Sequence, residues 1–331
     1  MKVTIPQELK ADMPQTAFGK VLTATPVVMA VVATMLAGLA SSEMTRAQYD
    51  RALAAQQQSK AGDQWSFFQA KRLRGAIQRN TADLMQATVE VPPLDPAALR
   101  SAAEQASAPA SADSAKLKTE LLAALESPAG QQALGLMKKG ELPPGGTTVA
   151  PPPEVKAALD AMENLRSDQE IAVLLADVTL AVLDETVAVA RDRALDFDAA
   201  TRPVNQAIDQ LDSLISRQAA VAGLANAAVA TATRQFTAAR LRYAAARYEV
   251  EARLNQAIAN LYELQVRKSN LSAERHHRRS QQFFFGMLGA QAGVIISTFA
   301  MAARQRNVLW ALAAAAGLVA VAFAIYVYLC M

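Results

Sequence analysis

The densest group of residues that could bind a ligand is a basic run near the carboxyl end of the chain. It reads Glu274-Arg275-His276-His277-Arg278-Arg279 and holds the only two histidines of the sequence. Arginine and histidine beside an apolar segment can bind anionic lipid headgroups, and the same pattern is also typical of an ordinary basic flank that orients a membrane helix. Adjacent helical side chains point about 100° apart, so the two imidazoles are poorly placed to share a metal ion. We expect a flank that faces lipid headgroups and no metal site.

Catalytic motifs are missing from the sequence. It contains no G-x-S-x-G, no Walker-type phosphate loop, no H-E-x-x-H and no cysteine pair. The single cysteine, Cys330, excludes an intrachain disulfide. Asp177, Asp184 and Glu185 share a helical segment without a paired base, which is typical of a solvated face. The sequence predicts a non-enzymatic protein with no catalytic residues and no cofactor.

One aromatic cluster lies outside the apolar segments, in the stretch Asp63-Gln64-Trp65-Ser66-Phe67-Phe68-Gln69-Ala70-Lys71-Arg72. Trp65, Phe68 and Arg72 are spaced by three and four residues, which places them on one face of a helix and allows aromatic and cation–π contacts. Two interpretations remain open. The cluster, with Phe67 and Lys71, is either a lock between two helices of this chain or a patch that docks a partner.

The same segment resembles an uncharacterised family of bacterial membrane proteins. Members share a D-Q-W-x-[YF]-[YF]-Q-A-K motif, which falls on Asp63 to Lys71, and end in a helical hairpin in the membrane, which resembles Arg278 to Tyr328. The resemblance covers both flanks of the chain but not residues 91–153. It implies a membrane location and this architecture, and it brings no known activity or catalytic residues.

Composition points to helices throughout. Hydrophobic residues make up 52% of the 331 residues, but aromatic residues only 5%, and alanine, the best helix former, supplies much of the difference. We predict an all-α protein in which a long antiparallel helical stalk joins three transmembrane helices. The net charge of +3 gives no sign of a nucleic-acid partner.

Three apolar runs are long enough to cross a hydrocarbon core of about 30 Å. They are residues 21–40, 283–303 and 308–329, the last two joined by the short turn Arg304-Gln305-Arg306-Asn307. None contains Asp, Glu, Lys or Arg, which argues against a proton relay or an ion pump.

Small residues in these runs indicate where helices meet. Gly289 and Gly293 form a small-xxx-small pair with Gly286 near the same face, and Ala313 and Gly317 form another; such faces allow close packing within the chain or between copies. Gln291, with Ser297 and Thr298 further along, is polar at membrane depth. Its amide predicts an interhelical hydrogen bond or, alternatively, part of a conduction path.

Between the first two spans the sequence alternates helices and linkers. After a polar tail at residues 1–20 and the first span, residues 41–90 predict an outgoing stalk helix. Residues 91–153 predict a loop-rich insertion, rich in Pro, Ala and Ser, with short helices at 95–106, 114–126 and 128–139. Residues 154–282 predict a long helical hairpin: one helix over 154–199, a distal turn at 198–203, and a return helix over 203–282. A fold-back near Gly223 is the alternative.

These features favour a scaffold or accessory subunit in the bacterial inner membrane. Lipid, further copies of the chain or a larger membrane complex are the expected partners. A transmembrane sensor is the first alternative and an oligomeric pore the second. Basic residues near the spans favour a cytoplasmic stalk by eight to five, with a periplasmic stalk as the alternative.

Overall fold

The computed structural model describes residues 17–105, 112–222, 226–302 and 306–330. Within these ranges the chain forms nine α-helices and no strand, which confirms the predicted all-α class. In chain order the helices are α1 (Ala17–Thr88), α2 (Pro96–Gln105), α3 (Ala112–Glu126), α4 (Pro128–Lys139), α5 (Pro153–Glu163), α6 (Asp168–Ala176), α7 (Leu180–Ala222), α8 (Ala227–Ala302) and α9 (Arg306–Cys330).

The contacts divide the chain into two compact units. The first contains the residues up to Gln56 and those from Val266 onward, and the second runs from Gln57 to Gln265. Helices α1 and α8 each contribute one part to the first unit and the other part to the second.

Three apolar helical segments build the core of the first unit. They come from the beginning of α1, the end of α8 and the later part of α9. Their buried side chains are Met29, Ala33, Leu36, Ala40, Phe283, Ala290, Ala320 and Val327.

Helices α1, α8 and α9 are each long and apolar enough to cross a membrane, as the sequence predicted. Residues 1–16 of the predicted tail, and Arg304 and Gln305 of the predicted turn, lie outside the described ranges.

The insertion at residues 91–153 contains three short helices that pack into the second unit. Helices α2, α3 and α4 fall close to the predicted short helices, and they bury one apolar face each against α7 and α8. The residues that they contribute include Leu99, Ala103, Leu117, Leu121, Leu134 and Met137. Proline and serine dominate only the connections, so composition averaged over the segment concealed these apolar faces.

The predicted helix over 154–199 is wrong, because it is broken twice. Helix α5 ends at Glu163, and α6 begins after Ser167 with a reciprocal cap. The Ser167 hydroxyl accepts from the Glu170 backbone at 3.3 Å while the Ser167 backbone donates to the Glu170 carboxylate at 3.0 Å. Hydrogen bonds from the hydroxyl and backbone of Ser167 lower the pKa of Glu170. A second break separates Ala176 from Leu180.

The predicted distal turn at 198–203 is also wrong. Helix α7 runs through it with Pro203 inside, and Thr201 is fully buried. Its hydroxyl donates to the Phe197 carbonyl at 2.9 Å, so the residue is satisfied within the helix and does not cap it. The buried face also continues without interruption across the proline, through Phe197, Thr201, Val204 and Ile208.

The chain reverses further along, as the alternative near Gly223 proposed. Helix α7 ends at Ala222, and α8 begins after Asn226, whose side chain accepts from the Val229 backbone at 3.2 Å. Gly223 itself lies outside the described residues. The two helices are antiparallel: Arg240 pairs with Asp212 at 3.2 Å, and Gln265 donates to Asp184 at 2.6 Å.

Candidate functional site

The Trp65–Arg72 segment is a helix-packing site in the second unit, where α1 lies against α8. The Trp65 indole N–H donates to the Glu263 carboxylate at 2.6 Å. One and a half turns later, the Lys71 ammonium is paired with Glu251. The side chains of Lys71 and Glu251 are 30% and 13% exposed, so this ion pair is largely shielded from solvent. Two of the predicted patch residues therefore bind acidic side chains of this same chain.

Aromatic contacts extend the same site. The rings of Trp65 and Phe68 meet edge to face, with centroids 5.4 Å apart, and the Arg72 guanidinium lies 5.7 Å from the Phe68 centroid. The Lys71 ammonium lies 5.5 Å from the Tyr248 ring centroid on α8. Phe67 is apart from these contacts, with 53% of its surface exposed, and is the member of the patch that is free to meet a partner.

Small residues let the two helices approach in this region. A Cβ atom at Gly75 would lie 3.3 Å from the Tyr248 Cβ and 3.5 Å from the Ala245 carbonyl oxygen. Ala61 and Ala82 are also buried along α1, at spacings that are multiples of seven from Gly75. This heptad of small residues was a sequence signal for the packing face of α1. No sequence signal identified Glu263 and Glu251 as the partners on α8, because the register of α8 against α1 is set by the fold.

The predicted small-residue faces are used inside the first unit. Gly286, Gly293, Ala313 and Gly317 are buried, and the Met29 side chain of α1 fills the space between two of them. A Cβ atom at Gly293 would lie 2.3 Å from the Met29 Cε, and one at Gly317 would lie 2.4 Å from the Met29 Sδ. Gly289 is half-buried and less confined. These faces therefore serve packing within the chain.

The three polar residues singled out in the second apolar run do not all face one surface: Gln291 and Thr298 are exposed, whereas Ser297 is buried. Ser297 is fully buried and donates to the Val294 carbonyl at 2.9 Å. The Thr298 hydroxyl donates to the same carbonyl at 2.8 Å. Gln291 is exposed, and the expected interhelical hydrogen bond is not formed with any residue that the structure describes.

The basic run is split between two environments. His276 lies between carboxylates of α1, with its Nδ1 atom 2.6 Å from Glu43 Oε2 and its Nε2 atom 4.0 Å from Asp50 Oδ2. His277 lies 3.1 Å from the Gln281 amide nitrogen. Arg275 and Arg278 are exposed, Arg279 is half-buried, and Arg278 pairs with Glu274 on its own helix. Only the exposed arginines are available to anionic headgroups.

A cavity of about 500 Å³ opens in the second unit between α5, α7, α8 and the segment that precedes α5. Its walls include Leu159, Val182, Leu254 and Leu261. Glu154, Glu163 and Glu185 are exposed carboxylates at its lining, and the buried Asn260 amide donates to Glu163 at 3.1 Å. The Arg193 guanidinium also lines the cavity, so three carboxylates stand against one cation there. An apolar interior with a net negative lining suits an amphipathic molecule that carries a positive charge. Sequence reasoning missed this cavity because its walls come from three separate helices.

Comparison with known proteins found one similarity, which covers part of the chain. Residues 19–134 match the sequence model of a family described as Domain of unknown function (DUF4337). The matched range includes the first apolar run and the Trp65–Arg72 segment, which is consistent with the predicted resemblance to an uncharacterised family. The extent of the match differs from that prediction: it includes residues 91–134, which the resemblance left out, and it ends before the C-terminal hairpin, which the resemblance included. Searches of the curated proteins and of the solved structures found no match.

Proposed function

We propose that this protein is a non-enzymatic scaffold or accessory subunit anchored in the bacterial inner membrane. The observation that carries the proposal is that the Trp65–Arg72 segment binds α8 of the same chain. Its most distinctive side chains, Trp65 and Lys71, bind Glu263 and Glu251 on α8. These contacts fix the register of α1 against α8, which is a structural role and not a catalytic one.

The chemistry of these contacts supports a role in fixing helix register. Each joins a specific donor to a largely buried carboxylate, and hydrogen bonds to charged groups contribute about 1.5–3 kcal/mol. Apolar contacts between alanine-rich helices tolerate a sliding motion, whereas a buried ion pair is satisfied in one register only. The exposed Phe67 ring on the same turn of α1 is then presented in a fixed position.

Native purification tests this role. The chain would be extracted from its own membrane in mild detergent, sized by mass photometry, and its co-migrating chains identified. We expect a homo-oligomer or a complex with other membrane proteins, and we expect Phe67→Ala to weaken a complex that uses this patch. Phe67→Leu is the matched control, because it keeps an apolar side chain. A monodisperse monomer without bound chains would contradict the proposal.

We also propose that residues 57–265 lie in the cytoplasm. Support comes from the basic residues that flank the spans on that side. A Cys330→Ser background would carry a single cysteine at Gln131 or at Asn307, both exposed. An impermeant maleimide applied to spheroplasts should label the Asn307→Cys protein and leave Gln131→Cys unlabelled until lysis. The opposite pattern would assign these residues to the periplasm.

A transmembrane sensor is the second candidate, and the cavity favours it. A ligand held between α5, α7 and α8 would alter the packing of α8, which continues into an apolar segment. Native mass spectrometry of the purified chain should show a bound cationic amphiphile, and Ala257→Trp should remove it by filling the cavity. An unliganded wild-type chain from membranes that contain such molecules would contradict the sensor.

A further inference from the structure

Gln291 lies in the middle of the apolar end of α8, on a face that the described part of the chain leaves exposed. It lies nine residues into the run that begins at Phe283. Phe284, Leu288 and Ile295 are exposed on the same face of α8. The four positions are spaced by four, three and four residues, the seam spacing of a helix that packs lengthwise against another. One amide thus interrupts an otherwise apolar seam.

The serine, threonine and tryptophan side chains of the described apolar segments have hydrogen bonds. The Trp310 indole donates to Thr25 at 2.9 Å, and the Thr34 hydroxyl donates to the Ala30 carbonyl at 2.9 Å. Ser297 and Thr298 use the Val294 carbonyl. Gln291 forms no hydrogen bond with any described residue. Lipid chains offer neither donors nor acceptors, so an amide at this depth is stabilised by a partner in another helix.

None of the described residues of the first unit is placed to supply that partner. The faces that bring α1, α8 and α9 together are already filled, with Met29 between Gly293 and Gly317. Since Gln291 points away from this packing, its partner belongs to a different polypeptide.

We infer that the partner is a second copy of this chain, bound through the Phe284–Leu288–Gln291–Ile295 face of α8. A glutamine amide carries both a donor and an acceptor, so two glutamines related by a two-fold axis satisfy each other. No complementary group has to come from another protein. The apolar neighbours on the seam would pack against their own copies. The inference rests on the proposed scaffold role and names the surface and partner of its assembly.

Disulfide crosslinking tests this interface in the native membrane. The single cysteine is removed by Cys330→Ser, and Leu288→Cys then places a thiol one turn from Gln291. Mild oxidation should yield a covalent dimer from Leu288→Cys. Leu318→Cys on α9 is the matched control, since Leu318 is 72% exposed but lies off the seam, and it should stay monomeric.

Substitutions at Gln291 then separate the amide from the apolar seam. In the Leu288→Cys background, Gln291→Leu should lower the crosslinked fraction about tenfold, the loss expected for an interhelical hydrogen-bonded pair. Gln291→Asn keeps the amide and should retain most of the dimer. Because position 291 is exposed, unchanged helicity of the detergent-purified variants would show that the chain itself is folded.

Three results would overturn the inference. They are equal crosslinking at Leu288→Cys and Leu318→Cys, no crosslinking at Leu288→Cys, and full crosslinking when Gln291 is leucine. If the chain co-purifies with other membrane proteins but does not crosslink at Leu288→Cys, the scaffold role stands and only the self-association fails. If it purifies as a lone monomer and does not crosslink, both fail.

Discussion

The imidazole Nδ1 atom of His276 lies 2.6 Å from the Oε2 atom of Glu43, and their side chains are only 19% and 12% exposed. The two residues are 233 positions apart. They join α1 to α8 within the first unit, close to the point where both helices become apolar. One turn further along α8, the Ser280 hydroxyl donates to the Ala40 carbonyl at 2.7 Å. The polar contacts thus continue to the edge of the apolar bundle.

Loss of the Glu43 charge should destabilise the first unit. Glu43→Gln keeps the shape of the side chain but weakens its contacts with His276 and Arg46, and we expect a loss of about 1–3 kcal/mol in the free energy of unfolding. Glu274→Gln is the matched control: it breaks the exposed pair with Arg278, which should cost less than about 1 kcal/mol. Thermal unfolding in detergent, followed by circular dichroism, measures both. Equal melting temperatures would show that the Glu43 contact is not stabilising.

Trp65→Phe tests the hydrogen bond to Glu263 separately from the aromatic packing. Phenylalanine retains the edge-to-face contact with Phe68 but has no N–H, so the largely buried Glu263 carboxylate loses a donor. The expected cost is about 1–3 kcal/mol. Phe67→Ala, on the exposed side of the same turn, should change stability by less than about 0.5 kcal/mol. A Trp65→Phe protein as stable as the wild type would assign the role of Trp65 to its ring alone.

Gly317→Ala should destabilise the apolar bundle because the new Cβ atom overlaps the Met29 side chain. Gly289→Ala controls for helix propensity, since its Cβ atom would meet only the Ala320 Cβ at 4.0 Å. We expect Gly317→Ala to be about 1–2 kcal/mol less stable than Gly289→Ala. Adding Met29→Ala to Gly317→Ala should recover part of this difference, as a double-mutant cycle would show. Additive losses would mean that the two residues do not interact.

The sequence was sufficient for features that depend on local pattern. Run length and hydropathy located three helices that can cross a membrane. The three-and-four spacing of Leu254, Ile258, Leu261 and Leu264 is likewise visible in the sequence, and these residues form a buried face of α8. Local pattern misled where tertiary burial decided the outcome. Thr201 and Pro203 have the chemistry of a turn, but the buried face from Phe197 to Ile208 is satisfied only if the helix continues.

The partners of the candidate site required three-dimensional information. The sequence placed Trp65 and Phe68 on one face of α1, but α8 carries many charged residues. Only the register of two helices, fixed by close contacts such as Gly75 on Tyr248, selects Glu263 and Glu251 from among them. The contact of Met29 with Gly293 and Gly317 could not be predicted for the same reason. Which side chain fills the space beside a glycine depends on how the helices of the bundle pack.

Tyr243 makes the stability of the second unit depend on alkaline pH. Its side chain is buried in the apolar core, and its hydroxyl has no hydrogen-bond partner among the described residues. Burial raises its pKa to about 12; the nearby Arg247 charge opposes this rise, and the Glu251 charge adds to it. The unfolded chain has a tyrosine pKa of about 10. Below pH 10 the phenol is neutral in both states and stability does not vary with its titration.

Between pH 10 and 12 the unfolded state releases the phenolic proton first, so the folded state loses up to about 3 kcal/mol through this group. Tyr243→Phe removes the titrating hydroxyl and its unpaired burial. We expect the variant to be as stable as the wild type or more stable at pH 7, and to lose less stability than the wild type as pH rises from 10 to 12. Denaturant unfolding measures the free energy of unfolding of both proteins across this range. Because both proteins contain the same lysines, the effect of lysine titration cancels in the difference between them. Parallel losses in the two proteins would show that Tyr243 titrates as an exposed phenol does.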